Sequence, residues 1–307
     1  MAEQLMKNFF LFMSKNRTLN QAAKKWGLKF GAARFVAGET VDQVIQKIRQ
    51  LNEQGLECTV DYLGEFVSKV EEAEEMATMC IRTLEAIHEH GVKSNLSLKL
   101  TSLGLDIDRE LCIRNMRGIL DTARSHGNFV RIDMEDYSHL EVTLSILRQL
   151  REEGYENVGT VIQAYLYRTA EDVQALGEEG FNLRLVKGAY KEPATVAFPE
   201  KGDVDENYKK IIRMHLLSGA YTAIATHDEA MIQYTKQVVA EEEIPLDRFE
   251  FQMLYGIRSQ RQLELAKEGY KMRVYVPYGN DWYGYFMRRL AERPANVAFV
   301  LKGMFKK

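Results

Sequence analysis

The chain has 307 residues, a net charge of −3 and a pI near 6.1, with its lysines and arginines interspersed among acids. That length can bury the core of one large α/β domain, and the charge balance argues against nucleic-acid binding. Three cysteines, Cys58, Cys80 and Cys112, stand far apart with no CxxC or Cys/His cluster, which fits a reducing cytoplasm and speaks against disulfides or a zinc site.

The N-terminal apolar run Phe9–Met13 is followed at once by Ser14, Lys15, Asn16 and Arg17. It is too short to span a bilayer and lacks a small-residue cleavage pattern. It reads as part of a helix packing on its own domain, with peripheral contact at a membrane's inner face as the alternative. Helices are predicted at Leu5–Lys15, Leu19–Phe30 and Thr40–Gln54, an N-terminal arm over residues 1–55.

From residue 56 onward, β-rich runs alternate with amphipathic helical patterns. The strands are predicted at Glu57–Val60, Lys93–Leu98, Phe129–Asp133, Val158–Tyr165, Phe181–Val186, Tyr221–Ala225, Phe249–Met253 and Met272–Val276. Helices such as Val67–His90, Arg109–His126, His139–Glu153 and Asp205–Leu217 lie between them, and several stop at a glycine suited to a left-handed cap: Gly91, Gly127, Gly154, Gly180 and Gly269. This rhythm is that of an α/β protein of the (β/α)8 TIM-like barrel class. An open doubly wound sheet is the runner-up, but no GxGxxG follows a strand and no P-loop is present.

A barrel puts function just past the C-terminal ends of its strands. The positions there are Asp61, Lys99, Asp133 with Met134 and Glu135, Gln163, Arg184 with Lys187, Thr226 with His227, Gln252 to Leu254, and Tyr275. The terminal helix adds Arg288 and Arg289, so the set is cationic at Lys99, Arg184, Lys187, Arg288 and Arg289 with few acids, and an anionic ligand is expected. Lys99 could be a Schiff-base nucleophile, a carboxylate anchor or a partner of Asp133. Asp133 could orient Lys99 or act as a base, while Glu135 and Asp136 read as solvent-facing. Arg184 and Lys187 differ by three, so within one strand they point to opposite faces. Gly188 permits close backbone approach to a ligand, and Tyr190 could cover it. The long, turn-rich connection AFPEKGDVDENY follows, as ligand-binding loops often do. Thr226 and His227 suit phosphate or adenine contacts. A lone histidine without a second ligand at metal spacing speaks against a metal site.

The segment RVYVPYGNDWYGYFMRRLAERPAN reads as a strand, a Pro277–Gly279 turn, and a helix opened by Asn280 or Asp281 and closed by Pro294. Arg288 and Arg289 sit side by side on that helix. A guanidinium fork matches a carboxylate, so the pair suggests an anion clamp; the plainer reading is a solvated basic pair. Glu292, four residues after Arg288, can brace it, and Tyr285 flanks the same spot.

Taken together, LSLKLTSLG, VRIDMED, QAYLYRT, LRLVKGAYKE, AFPEKGDVDENY, ATHDE, FEFQMLYG, RVYVPYG and YGYFMRRLAERPAN resemble the flavin-dependent proline dehydrogenases of the monofunctional bacterial type. The resemblance runs from about Asn95 to the C-terminus and takes in the helical arm. It implies a distorted barrel, residues 56–307, whose last helix lies over the mouth, and FAD held there without a covalent bond. It also implies hydride transfer from L-proline C5 to flavin N5, giving Δ1-pyrroline-5-carboxylate, the first step of proline catabolism to glutamate. Arg288, Arg289 and Lys99 would clamp the proline carboxylate, with Glu292 bracing Arg288. Tyr190, Leu254, Tyr275 and Tyr285 would wall the ring. Asp133 would organise the site from beneath, and Arg184 would lie by the flavin N5 edge. Met134, Gln163, Lys187, Gly188, Ala189, Thr226 and His227 would contact the cofactor. Electrons would pass to a membrane quinone, and the product would leave for a separate pyrroline-5-carboxylate dehydrogenase. Tyr278 is given no role. A Schiff-base barrel lyase using Lys99 or Lys187, and a non-catalytic amino-acid-binding protein, are the alternatives.

Overall fold

The computed structural model describes residues 32–64 and 67–292. The expected helices Leu5–Lys15 and Leu19–Phe30, and the stop at Pro294, lie outside the described residues. Eight strands, β1 (Glu57–Tyr62), β2 (Ser94–Leu98), β3 (Val130–Ile132), β4 (Val158–Gln163), β5 (Leu183–Val186), β6 (Thr222–Ala225), β7 (Phe249–Leu254) and β8 (Met272–Tyr278), pair in chain order. All pairs are parallel, and β8 closes on β1 with Thr59 opposite Tyr275. The helices are α1 (Val41–Glu53), α2 (Val70–Glu89), α3 (Arg109–Ser125), α4 (Tyr137–Glu152), α5 (Thr169–Glu178), α6 (Lys201–Leu217), α7 (Glu229–Glu241), α8 (Ser259–Lys267) and α9 (Trp282–Glu292).

The strands alternate with period two, and that alternation builds two environments. Val60, Leu96, Leu98, Val130, Ile132, Leu183, Leu185, Phe249, Phe251, Val274 and Val276 join the main apolar core with the helices. Between them fall Thr59, Asp61, Ser97, Arg131, Arg184, Glu250, Gln252 and Arg273, all buried. Polar side chains removed from water must find partners, so these form bonded layers inside the barrel. At its floor Arg273 donates to Glu250 Oε1 at 2.7 Å and to Glu57 Oε2 at 2.5 Å.

Gly91, Gly127, Gly154, Gly180 and Gly269 all have φ between 60° and 91°, as the capping pattern requires. Two expectations are corrected. The strand read as ending at Val276 continues to Tyr278, pairing Asp61 with Pro277 and Tyr62 with Tyr278. Pro277 lacks an N–H, but its carbonyl still accepts from Ala37 at 2.9 Å, so the strand's end keeps a partner. Tyr278 is fully buried and lies 2.5 Å from Thr83 Oγ1 of α2, a packing role. Helix α6 begins at Lys201 rather than Asp205, with Asp203 in its first turn, where an acid suits the helix dipole.

Helix α1, within the expected N-terminal arm, packs against β1, β8 and α2. The last helix, α9, stands apart from the outer ring. Its Trp282, Tyr285, Phe286, Met287 and Leu290 form a second, smaller core with Ala32, Phe35 and Val36, and with Leu63 and Ile257 beyond the ends of β1 and β7. This second core holds α9 over the C-terminal mouth of the barrel.

Candidate active site

The centre of the mouth is a bonded cluster drawn from five strands. Arg184 on β5 donates from Nε to Gln252 Oε1 at 2.6 Å, from one terminal nitrogen to Asp133 Oδ1 at 2.6 Å, and from the other to Ser97 Oγ at 2.9 Å. Its guanidinium carbon also sits 5.4 Å from the Tyr275 ring centre. Three directed bonds and a ring leave a buried Arg184 little rotational freedom, as a preorganised charge requires.

Above Arg184, the Tyr275 hydroxyl lies 2.7 Å from Asp61 Oδ2 and 2.8 Å from Asp133 Oδ2. One hydroxyl hydrogen serves one acceptor at a time, so the Tyr275 hydroxyl donates to Asp61 or Asp133 in turn. Burial raises the Asp61 carboxyl against the pull of Lys99. Lys99 Nζ is 3.6 Å from Asp61 Oδ2. Burial works to lower the Lys99 ammonium, but Asp61 and Asp133 outweigh it and hold it above its ordinary 10.5. A Schiff-base lysine needs the opposite shift, so Lys99 is suited to gripping an anion.

A second group lies at the rim past β5 and β6. Lys187 points away from Arg184, as the alternation predicts, and its ammonium donates to Asp205 and, at 2.7 Å, to Asp228 Oδ2. Thr226 Oγ1 accepts from the Asp228 N–H at 3.0 Å, and Asp228 caps α7 through Ala230. His227 Nε2 accepts from the Leu254 N–H at 3.0 Å, so that nitrogen carries no proton, and the His227 carbonyl accepts from Arg258 at 2.7 Å.

The expectation of few acids is therefore corrected: Asp61, Asp133, Asp205 and Asp228 pair with Lys99, Arg184 and Lys187. Glu135 is also not simply solvent-facing. It accepts from the Thr101 N–H at 3.1 Å and hydroxyl at 2.6 Å, and burial raises its carboxyl. Sequence reading gave no role to Asp61, Ser97 or Gln252. Their signal was the polar phase of each strand, Thr59–Asp61, Ser97–Lys99 and Glu250–Gln252, at alternate positions.

The remaining candidates fall around these two groups. Tyr190, about two-fifths exposed, is reached by the charges of Lys99, Glu135, Arg288 and Asp133. Desolvation pushes its phenol up to about 12. The charge of Arg288 on the covering helix thus reaches Tyr190. The Arg289 guanidinium stacks over the Tyr285 ring at 4.8 Å, and Leu254 packs against the α9 core. The Glu292 side chain lies outside the described residues.

Several of these groups fit a flavin. Gln163 is buried with Nε2 donating to the Glu135 carbonyl at 3.2 Å, while its Oε1 has no partner. That acceptor matches an imide N–H of an isoalloxazine ring. Gly188 sits at φ 111°, and a Cβ there would meet the Tyr165 ring at 2.2 Å, so only glycine keeps its backbone in this position. Gly188 and Ala189 are exposed beside it, and Met134 is buried near the end of β3. Among the described residues no group of three or more His, Cys, Asp or Glu side chains could hold a metal ion, and no helix is long and apolar enough to cross a membrane.

Comparison with known proteins converges on one family. A family model described as proline dehydrogenase matches residues 44–302. Proline dehydrogenase 1 of Bacillus subtilis strain 168 is 56% identical over 303 residues, covering 99% of this chain and all of that one. Proline dehydrogenase of Deinococcus radiodurans is 46% identical over 312 residues, covering all of both. The crystal structure of proline utilization A from Bdellovibrio bacteriovorus superposes with a TM-score of 0.80 at 27% identity over 90% of this chain. This chain spans 34% of that longer protein. With the barrel, its covering helix and the match over most of its length, the chain belongs to the proline dehydrogenase family.

Proposed function

We infer that this chain oxidises L-proline to Δ1-pyrroline-5-carboxylate with a non-covalently held FAD, the first step in converting proline to glutamate. The observation that carries the reading is the Arg184–Asp133–Tyr275–Asp61–Lys99 cluster at the mouth of a proline dehydrogenase barrel. Bound there, FAD supplies the acceptor for the hydride that leaves proline C5.

The chain's own groups divide into holding and positioning. Lys99, with Arg288 and Arg289 on the covering helix, grips the proline carboxylate, and Glu292 braces Arg288. Tyr190, Leu254, Tyr275 and Tyr285 wall the ring and exclude water. The proline amine must be neutral when hydride leaves, because its lone pair supports the developing iminium. Arg184 carries fixed positive charge toward the cofactor, and Asp133 fixes the angle of that guanidinium at 2.6 Å. The orphan Gln163 acceptor, Met134, Gly188, Ala189, Thr226, His227 and Lys187 form the cofactor's cradle. Neither Lys99 nor Lys187 suits a Schiff-base lyase, since each is tied to a carboxylate.

Residues 56–307 form the catalytic unit in this reading, and residues 1–55 an arm whose helix α1 rests on β1 and β8. A cytoplasmic location with peripheral contact at the membrane's inner face would bring the flavin to a quinone. A separate pyrroline-5-carboxylate dehydrogenase would take the product. The test is to incubate the purified protein with L-proline and a reducible dye, and to measure dye reduction and pyrroline-5-carboxylate by mass. One product per dye equivalent supports the reading. A substrate trapped on lysine by borohydride, or proline binding without product, would replace it.

A further inference from the structure

The segment Gly188–Glu192 leaves the end of β5 and carries Tyr190, yet it is barely tethered. Among the described residues, its one hydrogen bond comes from Glu192, whose Oε1 accepts the Tyr137 N–H at 2.8 Å. Tyr137 is the first residue of α4, where unbonded N–H groups and the positive end of the helix dipole favour a carboxylate.

That helix end is open to Glu192 for a specific reason. The residue before α4, Asp136, has the usual capping chemistry but does not cap its own helix. Its Oδ1 instead accepts from the Ser138 hydroxyl at 2.6 Å and lies 2.6 Å from His139 Nδ1, whose Nε2 lies 2.9 Å from Asp106 Oδ1. The N-terminus of α4 therefore gathers three connections: Asp106 after β2, Asp136 and His139 after β3, and Glu192 after β5. The strands beneath them lead to Lys99, Asp133 and Arg184. The charge of Glu192 also acts on the Tyr165 phenol, whose ring packs beneath Gly188. The clasp thus spans the β4 connection that lies between its two ends.

We propose that Glu192 is a positioning residue: by accepting the Tyr137 N–H it holds the 188–192 segment, and with it Tyr190, closed against the barrel mouth. This rests on the reading of the chain as a proline oxidase in which Tyr190 walls the substrate. Glu192 touches neither proline nor cofactor, so its loss lowers the closed population and weakens binding without altering the chemical step.

The experiment compares wild type with Glu192→Ala, Glu192→Asp and Glu192→Gln, each loaded with FAD and checked by thermal melting. Glu192→Ala raises the proline KM on the order of tenfold while kcat stays within about twofold. Glu192→Asp keeps the charge but withdraws it by one methylene, and raises KM likewise. Glu192→Gln retains an acceptor oxygen and stays within about threefold of wild type. Hydrogen exchange at residues 188–192 and at the Tyr137 amide quickens in the Ala and Asp variants, with or without proline. An unchanged KM and exchange rate in the Ala or Asp variant overturns the clasp, as does a fall in kcat at constant KM. A wild-type protein that binds and oxidises no proline overturns the functional reading instead, and the exchange data still decide the clasp.

Discussion

Arg184→Met removes the cation at the centre of the site and leaves its partners in place. Arg184 is 5% exposed and Asp133 13% exposed, with 2.6 Å between them. Deleting one member of a buried ion pair costs about 3–5 kcal/mol, because the partner charge stays buried without compensation. Asp133 keeps only the Tyr275 hydroxyl as a side-chain hydrogen-bond donor, a contact it shares with Asp61. Gln252 Oε1 loses its donor, whereas Ser97 keeps Thr59 at 3.0 Å. For a chain of this length the unfolding entropy is about 0.6 kcal/mol per degree, so the melting temperature falls by about 5–8 °C. The informative assay is a double-mutant cycle with Asp133→Asn, measured by calorimetry with saturating FAD in every sample, since bound ligand also moves the transition. Neutralising Asp133 removes most of the burden left by Arg184→Met, so the double variant is about 1–3 kcal/mol more stable than the two losses summed. Additivity within about 0.5 kcal/mol would refute the pairing as the source of the effect.

Arg288→Met and Arg289→Met should each raise the proline KM by orders of magnitude while the protein stays yellow, and near-normal KM in both sinks the clamp. Gly188→Ala forces a Cβ at φ 111° toward the Tyr165 ring and costs about 1–3 kcal/mol of strain. Its flavin content after gel filtration should drop, and full occupancy would contradict the cradle assignment. The contacts of His139 with Asp106 and Asp136 give a pH dependence. Burial opposes but the bonds to Asp106 and Asp136 raise the imidazole above its ordinary 6.5, so its stability is complete below that value and lost as pH rises through the folded one. Asp136 is lowered from 3.8, against burial, by Ser138 and His139, so its share is present above 3.8 and lost as pH falls through its folded value. Thermal stability of wild type should therefore decline above pH 6.5 relative to His139→Gln, and parallel profiles would contradict the assignment.

The barrel was legible because its two signals are local. The eight β-rich runs carry strong alternation, and glycines after five of the helices mark turns that need positive φ. Lys99, Asp133, Arg184 and Tyr275 were legible for the same reason, since strand ends map onto one face of the fold. What the sequence hid was pairing across the barrel. Asp61 and Tyr275 are 214 positions apart, and nothing local shows that Tyr275 bridges two carboxylates. The expected scarcity of acids failed on the same ground, because Asp205 in α6 and Asp228 at the cap of α7 reach Lys187 from separate connections. The course of β8 through Pro277 was missed because proline signals a turn unless a neighbouring strand fixes it, as β1 does here.

The most direct measurement is the visible spectrum of the purified protein, recorded without oxygen before and after L-proline is added. Oxidised-flavin bands that bleach on addition, with pyrroline-5-carboxylate formed in equal amount, are the result this account predicts. A protein that remains colourless after incubation with FAD, or whose flavin bands are unmoved by proline, would contradict it.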